Sequence, residues 1–168
     1  MLEIAGVALI ALVALIGFGV ASNTGDTVLE GNIGDNVFEL TVPPTLTWTL
    51  NPVQTMSEEI DLGITSNGFP WSVKVKSDST DGKMREFDGT DYVTNPPRTL
   101  KNPMTVLYKT TDVTFSDQDQ DLISDEMAVG TDMPYKVKLS QPTDWTDVPL
   151  SSGHTYKIVL TFTGGIQI

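Results

Sequence analysis

The sequence predicts a mainly β protein in which an N-terminal apolar α-helix precedes an antiparallel, immunoglobulin-like β-sandwich. Two patterns predict this fold class. Residues 4–21 form a run of eighteen positions without one polar side chain, which as a helix spans about 30 Å. Beyond residue 35, apolar and polar residues alternate in about eight short runs separated by Gly, Pro and Asn turns, as is typical of half-buried strands.

The apolar run at residues 4–21 is apolar on every side if it is helical. Small residues recur at every third position from Ala5 to Gly17, and since three residues turn a helix by about 300°, this row winds around the whole cylinder. Such a helix is surrounded by lipid or by other helices, and small residues allow close approach between helices. Three interpretations remain open: a helix packed among copies of itself, a simple lipid anchor, and a retained signal peptide.

The charge pattern around this run bears on processing. Lys74 is the first basic residue of the sequence, so neither the basic leader of a signal peptide nor a positive-inside flank is present. We therefore expect a chain from which a basic prepeptide has already been removed, with the apolar segment kept.

Composition limits the function classes. The chain has 168 residues, a formal net charge of -12 and no Cys. A charge of this sign repels nucleic acid and anionic lipid head groups, so a nucleic-acid partner is not expected. Without disulfides, stability must come from packing, metal binding or assembly.

The domain organisation follows from the change of pattern after Ala21. We expect an assembly helix at residues 1–22, a linker, hinge or short first strand at residues 23–35, and a β-sandwich domain at residues 36–168. The alternating residues that predict the strands are Val37, Phe38, Leu40 and Val42; Leu46, Trp48 and Leu50; Ile60, Leu62 and Ile64; Trp71, Val73 and Val75; Met104, Val106 and Tyr108; Val113 and Phe115; Tyr135, Val137 and Leu139; and Tyr156, Ile158, Leu160 and Phe162.

The aromatic residues and the single histidine favour structural roles. Trp48, Trp71 and Trp145 lie in or beside strand patterns, where a large aromatic side chain normally fills a sandwich core. His154 is the one His in the chain, so one copy cannot form a zinc site with several histidines. No Gly-x-Ser-x-Gly elbow accompanies it, and we predict a structural or exposed histidine and no enzyme.

The strongest chemical signal in the predicted domain is acidic. Asp117, Asp119 and Asp121 alternate with Gln, and Asp125 and Glu126 follow. Like charges so close together repel one another unless a cation neutralises them, and carboxylate oxygens are the ligands that calcium prefers. The spacing is not that of an EF-hand, because the positions that require Gly and Glu hold Leu122 and Ala128. The sequence allows either a solvated acidic loop or a calcium site at Asp117, Asp119, Asp121, Asp125 and Glu126; no other cofactor is expected.

The apolar run followed by a single predicted β domain resembles archaeal type IV pilins and the related archaellins. The resemblance covers residues 1–23 by pattern and the rest by architecture. It implies that the apolar segments pack into the core of a filament while the β domains form its outer surface, after a peptidase has removed a short basic leader. Bacterial members carry Glu at the fifth mature position to meet the terminal amine of a neighbour. This chain has Ala5 there and Glu3 nearby, which makes the archaeal branch the better comparison.

The sequence therefore predicts a structural subunit of an extracellular, adhesive, pilus-like filament at the cell surface. Its partners are copies of itself, and the membrane before assembly. The residues expected to make the assembly contacts are Leu2, Glu3, Ile4, Val7, Ala8, Ile10, Ala11, Leu12, Ala14, Leu15, Gly17 and Phe18. Two alternatives remain: a monomeric surface adhesin or binding module held in the membrane, which an aromatic-lined exposed groove would indicate, and an archaellum filament for motility.

Overall fold

The computed structural model describes residues 35–167, except for the side chain of Asp125. From Asp35 onward the chain forms one compact unit. It contains ten strands: β1 (Phe38–Thr41), β2 (Thr55–Asn67), β3 (Trp71–Ser77), β4 (Arg85–Phe87), β5 (Thr105–Tyr108), β6 (Thr111–Thr114), β7 (Gln120–Glu126), β8 (Val129–Pro142), β9 (Thr155–Lys157) and β10 (Leu160–Ile166).

The two longest strands form the centre of a five-stranded sheet with the order β1-β2-β8-β5-β6. β2 and β8 pair antiparallel from Thr55 opposite Pro142 to Asn67 opposite Val129. β1 covers the outer edge of β2 only over Gly63–Ser66. Toward its N-terminus, therefore, β2 extends well beyond its neighbour β1.

A three-stranded sheet, with the order β10-β3-β7, supplies the second layer of the core. In its central strand Trp71, Val73 and Val75 are fully buried, and Lys74 between the two valines is exposed. These side chains form one cluster with buried residues of the five-stranded sheet, including Leu62, Val106, Val137 and Leu139. Strand alternation of this kind places one set of side chains in the core and the other in solvent.

The predicted fold class is wrong. The described residues contain no helix, and thus none long and apolar enough to cross a bilayer. Their strands form three sheets of five, three and two strands, whereas an immunoglobulin-like sandwich has two. The third sheet consists of β4 and β9. These are two short segments that lie between the main strands in the sequence and pair with each other. The predicted helix falls on residues 4–21, which lie outside the described residues.

One predicted strand is also absent. Leu46, Trp48 and Leu50 alternate with Thr, yet residues 42–50 form no strand. No backbone hydrogen bond joins these nine residues to another described residue. Pro43 and Pro44 supply the physical reason: they have no backbone N–H to give to a neighbouring strand.

Candidate functional site

The described residues form an open groove of about 810 Å³. One wall is drawn from residues 42–52 and the other from residues 154–162, while Ile60, Leu100, Met104 and Leu139 form the floor. We call this feature the side groove. Its rim carries exposed apolar side chains, with Leu46 37% and Val159 46% exposed. Its volume and its apolar lining are those of a binding site.

A buried carboxylate lies beside the wall that contains His154. Glu86 is in the three-residue strand β4, and its side chain is 4% exposed. Its Oε1 lies 2.6 Å from His154 Nδ1 and its Oε2 lies 3.7 Å from Arg98 Nε. A carboxylate is kept in a protein interior when it is paired and hydrogen-bonded in this way.

The backbone fixes both members of this pair. The amide of Glu86 donates to Arg98 O at 2.9 Å, and Glu86 lies opposite Tyr156 in the pairing of β4 with β9. The amide of His154 donates to Ser151 O at 3.0 Å in a tight turn, where Gly153 has a φ of 87°. Because Nδ1 is engaged by Glu86, Nε2 is the ring nitrogen that is left for a second hydrogen bond.

Two further polar side chains lie on the same wall. The Tyr156 hydroxyl donates to Val148 O at 3.0 Å. Burial, and then the negative charges of Asp147 and Glu86, raise the pKa of Tyr156 above its ordinary value. Lys157 Nζ lies 3.9 Å from the centre of the Phe87 ring, and among the described residues no carboxylate is within 4.0 Å of it.

Three of the acidic residues predicted as calcium ligands lie at or near the start of β7 and face different partners. Asp121 lies 3.7 Å from Lys74 Nζ and Asp119 lies 3.1 Å from Lys76 Nζ. Asp117 accepts a hydrogen bond from Gln118 Nε2. Lys74 and Lys76 of β3 thus supply neutralising charge to Asp121 and Asp119, the role that a cation would have in a calcium site.

Glu126 lies at the other end of β7. It accepts a hydrogen bond from Lys109 Nζ at 2.8 Å. Within the described part of the chain, no three acidic or histidine side chains converge as metal ligands. The side chain of Asp125 lies outside the description, so calcium binding at this segment stays a prediction.

The predicted assembly residues, Leu2 to Phe18, lie outside the described residues. The tryptophans are described, and they differ from one another. Trp71 is fully buried, with its ring 5.1 Å from that of Tyr135 in an edge-to-face arrangement. Trp48 lines the side groove and donates to Glu58, whereas Trp145 is 78% exposed on a turn.

Glu86 is the residue of this site that the sequence does not indicate. It stands between Arg85 and Phe87 in a polar stretch that ends in the turn Asp88-Gly89. A strand of three residues is too short to show a period of two, so nothing in the sequence tells which of the three side chains points inward.

Comparison of the chain with protein-family models, with curated proteins and with solved structures finds no match.

Proposed function

We propose that this protein is a structural subunit of an extracellular filament, which assembles through its N-terminal apolar segment and displays the β domain to the medium. The observation that carries the proposal is the uninterrupted apolar run at residues 4–21. A segment of this kind cannot stay in water, and burying each large aliphatic side chain contributes about 1.5 to 3 kcal/mol. Packing among copies would therefore stabilise an assembly strongly.

The β domain has the properties of an outer surface layer. It has its own buried core, with Leu62, Val73 and Val106 fully buried. Its surface is acidic, and every charged pair in contact on β2, β3 and β7 is solvent-exposed on at least one side. Such a domain stays soluble without covering from its neighbours.

Electron microscopy of the full chain tests the proposal. We expect the wild-type protein to form filaments of uniform width, and the variant Ala11→Asp to form none, because an unpaired carboxylate among apolar segments costs several kcal/mol. The matched control is Ser124→Asp, which adds the same charge to an exposed position of β7 and should leave filaments intact. Filaments of normal yield from Ala11→Asp would refute assembly through this segment.

A second candidate function is a surface-anchored binding module that acts as a monomer. The observation that favours it is the side groove, which is lined by Trp48, Phe87, Tyr156 and Phe162, the kind of aromatic lining that a binding site uses. Detergent-solubilised wild-type protein that remains monomeric after detergent removal into lipid vesicles would favour this candidate over the filament.

A further inference from the structure

Two adjoining turns at one end of the domain expose large apolar side chains. In the turn at residues 143–147, Trp145 is 78% exposed, and in the turn at residues 51–54, Val53 is 68% exposed. Neither residue lines the side groove, and neither belongs to the hydrophobic core. We call these two turns together the apolar tip. Covering these side chains with another apolar surface would be favourable, because both are left in water by the fold.

Polar side chains hold the apolar tip rigid. The Thr143 amide donates to Gln54 O at 2.8 Å and its hydroxyl donates to Asn51 O at 2.6 Å, which ties one turn to the other. Asp144 Oδ1 accepts from the amide and from the hydroxyl of Thr146, at 2.9 and 2.7 Å. A side chain on a preorganised turn loses less conformational entropy on binding, so this rigidity favours the tryptophan as an anchor.

Val53 has a backbone conformation that disfavours its own side chain. Its φ is 58°, in the left-handed region where a β-branched residue is an outlier. Pro52 precedes it, and the position after such a proline favours glycine when φ is positive. The strain is kept at a residue whose side chain is exposed and outside the core. Strain of this kind is typical of functional positions.

The apolar tip and the entry of the chain into the domain lie at opposite ends of β2. Asn67, the last residue of this strand, donates from Nδ2 to Asp35 O at 2.7 Å, whereas the tip adjoins Thr55, the first residue. The 13 residues of β2 separate these ends by about 40 Å at roughly 3.3 Å per residue. Along β2, the tip is therefore remote from the residue that follows the N-terminal segment.

The chemistry of the tip limits what it can bind. Both oxygens of Asp147 accept backbone amides, from Lys101 at 2.8 Å and from Asp144 at 2.6 Å, so this carboxylate is spent on the turn. Hydrogen bonds from Thr146 lower the pKa of Asp144, and the negative charge repels anionic partners. Two turns also present far fewer side chains than the roughly 20 to 30 residues per side of a stable protein interface. These properties favour an uncharged, apolar surface as the partner.

We propose that the apolar tip inserts into the interface of a membrane whose lipids carry no net charge. Tryptophan prefers this interface because its ring is apolar and its N–H is polar, and Val53 adds apolar area on the adjoining turn. The inference rests on the proposed function, because one tip buries little area whereas a filament presents many tips at once. Such multivalent contact raises the overall affinity without any new contact in the single subunit.

Flotation of assembled, full-length filaments with phosphatidylcholine vesicles on a density gradient tests this inference. We expect at least about tenfold less floating filament for Trp145→Ser than for the wild type, because the anchor is lost from every copy of a multivalent contact. The matched control is Val129→Ser, which removes a 70% exposed apolar side chain at the Asn67 end of β2 and should float as the wild type does. Anionic phosphatidylglycerol vesicles should float less wild-type filament than phosphatidylcholine vesicles.

The variant Val53→Gly separates a binding role from a structural one. Glycine relieves the left-handed strain and removes the apolar side chain. We therefore expect a higher melting temperature of the domain together with less floating filament. A lower melting temperature with unchanged flotation would show that Val53 serves stability, and would overturn its part in the tip.

Two results overturn the whole inference while the filament proposal stands: intact Trp145→Ser filaments that float as the wild type does, and an equal loss of flotation in Val129→Ser. Failure of the wild-type chain to form filaments refutes the proposed function itself, and this inference with it. Electron microscopy of each sample before flotation distinguishes the two failures.

Discussion

Gly82 shows how strictly one residue can be determined by its surroundings. Its φ is +67°, and a Cβ at this position would lie 2.1 Å from the backbone oxygen of Phe115. Its carbonyl accepts from the Met104 amide at 2.9 Å, so the backbone cannot move away without losing a bond. We predict that Gly82→Ala lowers the free energy of unfolding by more than the roughly 1 to 2 kcal/mol that a left-handed conformation costs by itself.

The matched control for Gly82 is Gly89→Ala. Gly89 has a φ of +102°, but a Cβ there would meet nothing within 4 Å. Urea unfolding of the two variants separates backbone strain from collision with Phe115. Equal losses of stability in both variants would show that the collision contributes nothing.

The hydrogen bond that Tyr92 donates makes the stability of the folded state depend on pH in the alkaline range. Its hydroxyl donates to Asp78 Oδ2 at 2.6 Å, and Arg85 lies over its ring at 3.9 Å. Burial, and then the hydrogen bond and negative charge of Asp78, raise the pKa of Tyr92 from 10.0 to about 12. Because the folded state holds this proton more tightly than the unfolded state, its contribution to stability is complete below pH 10 and is lost as the pH rises from 10 toward 12.

The difference in tyrosinate absorbance at alkaline pH between the wild type and Tyr92→Phe measures this titration. We expect the difference curve to have its midpoint near pH 12. A midpoint at the ordinary tyrosine value of about 10 would show that the Asp78 contact is not maintained in solution.

At the scale of elements, β3 and the acidic segment that leads into and includes β7 carry the charges on which the calcium prediction depends. Lys74 and Lys76 compete with any cation for Asp121 and Asp119, although exposed pairs of this kind contribute little to stability. We predict a small rise in melting temperature of the wild type between a chelator and about 10 mM calcium, which exceeds the usual dissociation constants of extracellular calcium modules. In the double variant Lys74→Met/Lys76→Met the rise should be larger, because the internal counter-charges are gone.

Magnesium at the same concentration serves as the control in this measurement, since it demands a tighter octahedron and releases its water reluctantly. A melting temperature that calcium leaves unchanged in both proteins would identify the acidic segment as a solvated surface strand.

Strands that obey a period of two could be predicted from the sequence, and those that break it could not. β3 covers the run from Trp71 to Val75, whereas the sequence predicts no strand at β7 and allows either a solvated acidic loop or a calcium site there. In β7 the neighbours Leu122 and Ile123 are both buried, because its pairing with β3 shifts register between Val73, opposite Ile123, and Lys74, opposite Asp121. A bulge of this kind turns two successive side chains to the same face, and it depends on the partner strand.

The candidate site was predictable to a smaller extent. Its floor residues Ile60 and Leu139 belong to alternating runs, and His154 is visible as the one histidine. The groove itself exists because residues 42–50 leave the sheet after Thr41 while β10 ends the other sheet. These are consequences of tertiary packing, which local propensity does not determine.

At the scale of the whole molecule, the separation of core and apolar segment predicts how the chain can be divided. The buried side chains of the domain, such as Leu62, Ile64 and Val137, pack against one another within the described residues. We therefore predict that a protein truncated to residues 35–168 is folded, cooperative in thermal unfolding and monomeric. Circular dichroism and sedimentation equilibrium measure both properties.

A core substitution placed in both the truncated and the full-length protein tests whether the domain core is independent of residues 1–34. Leu62 is fully buried on β2, and Leu62→Ala should lower the free energy of unfolding by about 2 to 5 kcal/mol through lost burial and a residual cavity. If the domain is independent of residues 1–34, this loss is the same in the truncated protein and in the domain of the detergent-solubilised full chain. A truncated protein without a cooperative transition would mean that residues 1–34 belong to the core, and the division between an assembling segment and a displayed domain would then be wrong.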